Sequence, residues 1–341
     1  GMSFVYEAPS ARVYINGEEL PDGALGTPGT DSLDGAWFFS DSSGAESSNA
    51  IILRALAFDD ARTDAEIKSD ARSLCDRYGI EYGFSPLIVP GCRHWFDFSK
   101  KDAITFNNTD ISAIDDLAGS LGDDGSELEA IQTFSANQPA WGSVSKNGLK
   151  VATFDSTTSQ FVQIGTASDF KYLHGDNADG CEVWTVCRPG ALAGNSDCRL
   201  FATGNSSATV GVDCWRENSD GALRYKLYFG MSGQFVVQVN GGALPIGEWL
   251  IIRCKYKNGD TDADGQTWIN GTLGGSSNTG NTPSTSDSSD NLHIGGDGTP
   301  VTSCWEGDMG EQIYFDRELT AAEVTAMYDY LSTKWNITVS V

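Results

Sequence analysis

Alternation of apolar and polar positions marks much of the chain as β. Leu149–Phe154, Phe161–Ile164, Cys181–Cys187, Leu223–Phe229, Phe235–Val239 and Trp249–Tyr256 read as strands, separated by clusters of Gly, Asn, Asp and Ser. In the last of these, Leu250, Ile252, Cys254 and Tyr256 share one face, while Arg253, Lys255 and Lys257 take the other. That pattern predicts a sheet with one face in a core and one in solvent. Two segments change period. Ile67, Ala71, Leu74 and Tyr78, and later Val324, Tyr328, Leu331 and Trp335, recur at spacings of 4, 3 and 4, which puts each set on one helix face. Thr63 with Glu66, and Thr320 with Glu323, form capping-box signatures, so helices are predicted over 63–78 and 320–335.

The two helices belong to an internal repeat. Val13-Tyr14-Ile15-Asn16-Gly17 matches Thr267-Trp268-Ile269-Asn270-Gly271, and Phe58-Asp59 with Thr63 and Glu66 matches Phe315-Asp316 with Thr320 and Glu323. The spacing between these anchors is kept to within three residues. Ser85-Pro86 and Pro90-Gly91 interrupt the pattern, dividing the chain into a partial copy, 1–85, and a complete domain, 86–341. Residues 274–290, nearly all Gly, Ser, Asn, Thr, Asp and Pro, read as a surface loop inside the second domain. The partial copy has strands expected near Val13–Ile15, Trp37–Phe39 and Ile51–Phe58. It is too small to cover both faces of its own sheet. It is therefore expected to pack on the complete domain or on a second copy of the chain, which makes a homo-oligomer one outcome.

Charge narrows the partners. Of 341 residues, 22 are Lys or Arg and 47 are Asp or Glu, a formal charge of −25 that repels nucleic-acid backbones, so no nucleic-acid partner is expected. Apolar runs such as Trp249–Ile252 fall far short of the roughly 20 residues that span a bilayer, so no membrane partner is expected either. With 9 Trp, 11 Tyr and 16 Phe the chain has material for a real core, and 39 Gly against 10 Pro suits an antiparallel protein rich in turns. The eight cysteines form no C-x-x-C pair, and several lie in apolar strand runs, so most are expected to be buried free thiols. Gly1-Met2-Ser3-Phe4 shows no signal peptide; Gly1 before Met2 reads as an addition ahead of the native start, which leaves localisation open.

Longer motifs carry a resemblance. Trp95-Phe96-Asp97-Phe98-Ser99, the turn Asp116-Leu117-Ala118-Gly119, Asn137-Gln138-Pro139 followed by Asn147-Gly148 and the strand to Phe154-Asp155, and the ending from Gly307 through Asp316-Arg317-Glu318-Leu319-Thr320 to Tyr330 and Trp335 resemble concanavalin A-like (laminin G-like) domains. Such domains occur in bacterial surface and phage virion proteins. Phe98 and Lys100 depart from the usual Ala and Asp. The resemblance covers residues 90–341 and implies an all-β, jelly-roll sandwich with a short C-terminal helix, the N-terminal copy being a fragment of the same fold. It implies a binding or adhesion module of an extracellular or virion surface, with glycans as the ligand class. A structural assembly module without a glycan ligand is the alternative, and a glycoside hydrolase a third.

Candidate chemistry is sparse. Asp260-Thr261-Asp262-Ala263-Asp264-Gly265 reads first as a solvated hairpin tip. Its alternating oxygen donors also suit Ca²⁺, with Asp260, Asp262 and Asp264 as ligands. Its twelfth position is Gly271 rather than a bidentate Glu, so it is no EF-hand. No catalytic residue is expected, and His94, His174 and His293 are scattered. Glu311 lies near the terminal strand, where the resemblance implies a structural role. For sugar binding the candidates are Trp215, Asn218 and Asp220, with Tyr225, which fits a core position as well as a site.

Overall fold

The computed structural model describes residues 84–119, 128–175, 179–191, 197–204, 210–227, 244–260, 264–277, 284–297 and 303–340, and the backbone of the strands at 2–7, 10–15, 18–19, 228–229 and 234–238. The chain divides into two compact units, residues 1–84 and 85–341. In the first, β1 (Met2–Glu7), β2 (Ser10–Ile15) and β3 (Glu18–Glu19) form an antiparallel meander in which Phe4 faces Val13 and Tyr14 faces Glu19. The expected helix at 63–78 and the strands near 37–39 and 51–58 lie outside the described residues.

The second unit is all-β with one C-terminal helix. Its strands begin with β4 (Cys92–Asp97), β5 (Ile104–Asn107), β6 (Asp110–Asp115), β7 (Glu129–Ile131), β8 (Ala140–Lys146), β9 (Leu149–Phe154) and β10 (Val162–Ile164). The middle of the unit supplies β11 (Cys181–Pro189), β12 (Cys198–Ala202), β13 (Val210–Arg216), β14 (Leu223–Phe229) and β15 (Gln234–Gln238). Then come β16 (Leu250–Tyr256), β17 (Gly265–Ile269), β18 (Thr272–Ser277), β19 (Leu292–Ile294), β20 (Gly307–Phe315) and the helix α1 (Ala321–Trp335). All pairings are antiparallel.

Two layers follow from the pairing. Sheet I runs β8-β9-β20-β11-β16-β17-β18, and β4 shares the outer edge of β20 with β9. Sheet II runs β5-β6-β7-β10-β19-β12-β13-β14-β15, and a single bridge, Asp110 to Ala140, joins the layers at one corner. Their inner faces share one core, with Val183, Cys187, Ile252, Cys254 and Tyr256 from sheet I against Val162, Ile164, Val212, Cys214 and Tyr225 from sheet II. The seven described cysteines are free, six of them buried. Asn270-Gly271 closes β17 to β18 with both residues at positive φ (49° and 84°), the conformation that favours Asn-Gly in a two-residue hairpin.

The helix is where the pattern predicted it. Thr320 Oγ1 caps the Glu323 N–H, the Glu323 carboxylate returns to the Thr320 N–H, and Asn336 ends the helix at a φ of 48°. The outward face of sheet I does not meet solvent as its alternation implied. Arg253 and Lys255 are buried, because α1 and the segment before it cover them. Tyr328 packs edge-on against Trp184, with ring centroids 4.7 Å apart, and Trp335 lies over Gly310, where a Cβ would meet the indole at 2.7 Å. Glu182 accepts from Arg253 Nε at 2.8 Å and Nη2 at 2.6 Å, from Trp184 Nε1 and from the Leu319 N–H. A charge removed from water in this way costs free energy unless it is fully paired, and Glu182 has four donors.

Candidate functional site

The candidate site is built on the β13–β14 hairpin of sheet II. Along β13, Val212 and Cys214 enter the core, so Asp213 and Trp215 take the outer face. Along β14, Leu223, Tyr225 and Leu227 enter the core, so Arg224 and Lys226 face outward. Register sets Trp215 opposite Arg224 and Asp213 opposite Lys226, with Arg199 of β12 on the other side of Trp215. Arg199 grips Asp213 in a two-pronged contact, Nε to Oδ1 at 3.2 Å and Nη2 to Oδ2 at 3.1 Å. The indole of Trp215 sits between two cations, the Arg199 guanidinium 5.6 Å and the Lys226 ammonium 6.0 Å from its ring centre.

The turn that follows is tied down at each residue the sequence singled out. Trp215 Nε1 donates to Glu217 at 3.2 Å, the Asn218 N–H donates to Asp197 at 3.0 Å, and Asp220 accepts from the Ala222 N–H and from Arg224 Nη2, each at 2.9 Å. Asp220 is exposed and Glu217 and Asn218 are half-buried, so the turn presents polar groups to solvent on a fixed backbone. Trp215 keeps only 8% of its surface open.

Burial sorts the charges into two ranks. The Ala222 N–H and Arg224 hold the exposed Asp220 carboxyl below its ordinary range. Behind it, burial pushes Asp213 up to about 6 despite Arg199. The outer face continues across the sheet in register as Ile131, Gln163, His293, Ala202, Asp213 and Lys226. His293 Nδ1 lies 3.0 Å from the Asn291 carbonyl, which places the proton there and leaves Nε2 as an acceptor. Burial lowers its pKa, favouring the neutral ring, and Nε2 has no hydrogen-bond partner among the described residues.

The structure brings together Trp215, Asn218 and Asp220, and separates Tyr225 from them. Tyr225 is fully buried on the opposite face of β14, among the core residues, and offers no surface to a sugar. Arg199, Asp213, Glu217 and Arg224 went unnoticed in the sequence. The signal was present: Asp213 and Trp215 share parity in one strand, as Arg224 and Lys226 do in the next.

In the Asp260–Asp264 loop, Asp262 lies outside the described residues. Lys255 Nζ approaches Asp260 Oδ2 at 2.5 Å, and Asp264 Oδ1 accepts from the Gly259 N–H at 2.8 Å. Both described carboxylates are thus engaged by protein donors. Among the described residues no group of three or more His, Cys, Asp or Glu side chains is placed to hold a metal ion. No helix among them is long and apolar enough to cross a membrane.

No protein-family model matches the chain, and no curated protein matches it. Among solved structures it is similar to domain 4 of an extracellular arabinanase from Geobacillus stearothermophilus in complex with arabinotriose, at 16% identity and a TM-score of 0.47, over 70% of this chain and 98% of that one. It is also similar to Trypanosoma rangeli sialidase, at 13% identity and a TM-score of 0.42, where it spans 39% of that protein while 79% of this chain is covered. A third likeness is to the Ruminococcus gnavus sialidase CBM40 bound to α2,3-sialyllactose, at 15% identity and a TM-score of 0.36, over 45% of this chain and 84% of that one.

Proposed function

We propose that residues 85–341 are a non-catalytic carbohydrate-binding module of an extracellular or virion surface protein, with its site at the β13–β14 turn. One observation carries this reading: a turn locked by four side-chain hydrogen bonds presents Glu217, Asn218 and Asp220 beside Trp215. Saccharides carry hydroxyl groups along their edges, and a rigid amide and carboxylate rim matches these, with the small open part of Trp215 at its side. Rigidity matters because little ordering entropy remains to be lost on binding. The non-catalytic part rests on the engagement of the carboxylates at 306, 308 and 311: Glu306 accepts from Ser156, Asp308 from Arg188 and Thr153, and Glu311 from Lys334, Trp95, Tyr330 and Trp335.

A glycan array followed by polysaccharide pull-down tests the proposal. Binding that Asn218→Ala and Asp220→Ala abolish supports it. No binding to any glycan overturns it in favour of an assembly module. Release of reducing ends from a bound polysaccharide overturns its non-catalytic half.

A further inference from the structure

Beneath α1, a lysine, an aspartate and a glutamate meet out of water. Lys334 Nζ lies 2.6 Å from Asp97 Oδ2 and 2.7 Å from Glu311 Oε1, and all three side chains are buried. Glu311 also accepts from Trp95 Nε1 at 3.0 Å, from Trp335 Nε1 at 2.7 Å and from the Tyr330 hydroxyl at 2.7 Å. The second oxygen of Asp97 is held separately: Oδ1 accepts from the Ser99 N–H at 2.9 Å and from the Ser99 hydroxyl at 2.6 Å. An ion pair needs only the first contact. The full set is that of an acyl transfer, with an amine beside a carboxyl group, a second carboxylate on the amine, and two donors on the oxygen that would carry negative charge.

We propose that Lys334 and Asp97 condense in the folded protein to an isopeptide bond, with Glu311 as the proton carrier. Glu311 takes one proton from the Lys334 ammonium and passes it to Asp97 Oδ2. The neutral amine attacks Asp97 Cγ, forming the C–N bond and moving an electron pair onto Oδ1, where the two Ser99 donors hold it. A second proton leaves the nitrogen through Glu311 to Oδ2, the C–O bond breaks, and Oδ2 departs as water. The third proton remains as the amide N–H, and Glu311 is returned as the carboxylate. An ammonium and a carboxylate become an amide and one water, with no oxidant or cofactor.

Glu311 and Asp97 hold the Lys334 proton more tightly than usual, which opposes the first step, and the rest of the surroundings favour the reaction. Burial raises the proton affinity of Glu311, which suits a base. Exclusion of water narrows the gap between the ion pair and the neutral amine-acid pair from which attack proceeds. Trp95, Tyr330 and Trp335 fix Glu311, and Lys334 Nζ is held against the Asp97 carboxyl group at Oδ2 rather than meeting it by diffusion. The product would tie β4, the first strand of this unit, to the last turn of α1, across a sequence separation of 237. Left unreacted, the same triad is an ion-pair anchor for the helix.

Intact mass of the denatured full chain, with peptide mapping, decides between these. The expected result is a mass one water below that of the sequence and a branched peptide joining the segments that hold Asp97 and Lys334. Glu311→Gln and Lys334→Arg should each restore the full mass, with an unchanged far-UV circular dichroism spectrum showing that the sandwich still forms. A wild-type chain of full sequence mass, or a water loss that maps to an Asp-Gly or Asn-Gly step, overturns the proposal. Branched peptide persisting in Glu311→Gln overturns the role given to Glu311.

Discussion

The outer faces of the two sheets draw on the same residue types and do different things with them. On sheet I, Trp184, Arg253, Glu182 and Glu311 lie beneath α1 and its lead-in, and each carboxylate there collects several donors, Lys334 of α1 among them. On sheet II, Trp215, Asp213, Arg224 and Glu217 lie on a hairpin whose turn reaches solvent, with Arg199 on the neighbouring strand β12. A helix laid over a charged face makes that face architectural, because every charge beneath it must be paired before water leaves. A face without one can keep polar groups outward, and only the rank behind them is buried. Composition alone does not separate the two cases.

The largest expected effect breaks the sealed face. Glu182→Ala leaves the Arg253 guanidinium buried without its carboxylate and should cost about 3–5 kcal/mol in urea unfolding. A cost below about 1 kcal/mol would mean that the pair is not sealed.

Next comes pH, where Asp213 and the paired glutamates Glu318 and Glu323 should respond in opposite senses. Asp213 titrates at about 6 in the folded chain against an ordinary value of 3.8, so the folded state holds the extra proton. Its stabilising share is complete below the ordinary value and lost as pH rises through about 6, on the order of 1–3 kcal/mol. Glu318, paired with Lys255 and Lys257, and Glu323, paired with Arg317, are held below their ordinary range. They contribute above that range, and the contribution is lost as pH falls through their lowered values. Unfolding free energy measured from pH 3 to 7 should therefore decline between about 4 and 6, and Asp213→Asn should flatten that slope. An unchanged slope in the variant would remove Asp213 as its source.

A smaller effect probes the helix end. Thr320→Ala removes the cap on Glu323 and should cost about 1 kcal/mol by thermal or urea melting.

Much of this was written locally in the sequence. Leu149–Phe154 and Leu223–Phe229 are strands at the bounds their alternation gave, and the Thr320–Glu323 box starts the helix. Tyr225 could have been placed by the same rule, since it shares parity with Leu223 and Leu227. Burial of Arg253 and Lys255 was not legible, because the partners that permit it, Glu182 and Glu318, lie some sixty to seventy residues away. The Asp97–Glu311–Lys334 cluster is more distant still, joined through the first strand, the last strand and the helix. Periodicity reports which face a residue takes, and what covers that face is decided by chain closure.

The smallest expected change in stability accompanies the most direct test. Asn218→Ala removes an amide from the turn's rim and should shift stability by no more than about 0.5 kcal/mol. Titration of a polysaccharide identified by pull-down into wild type and Asn218→Ala, at matched melting temperature, measures whether the open hairpin is the binding face. The account predicts at least a tenfold weaker affinity for the variant, about 1.4 kcal/mol. Equal affinity in the two proteins would contradict it.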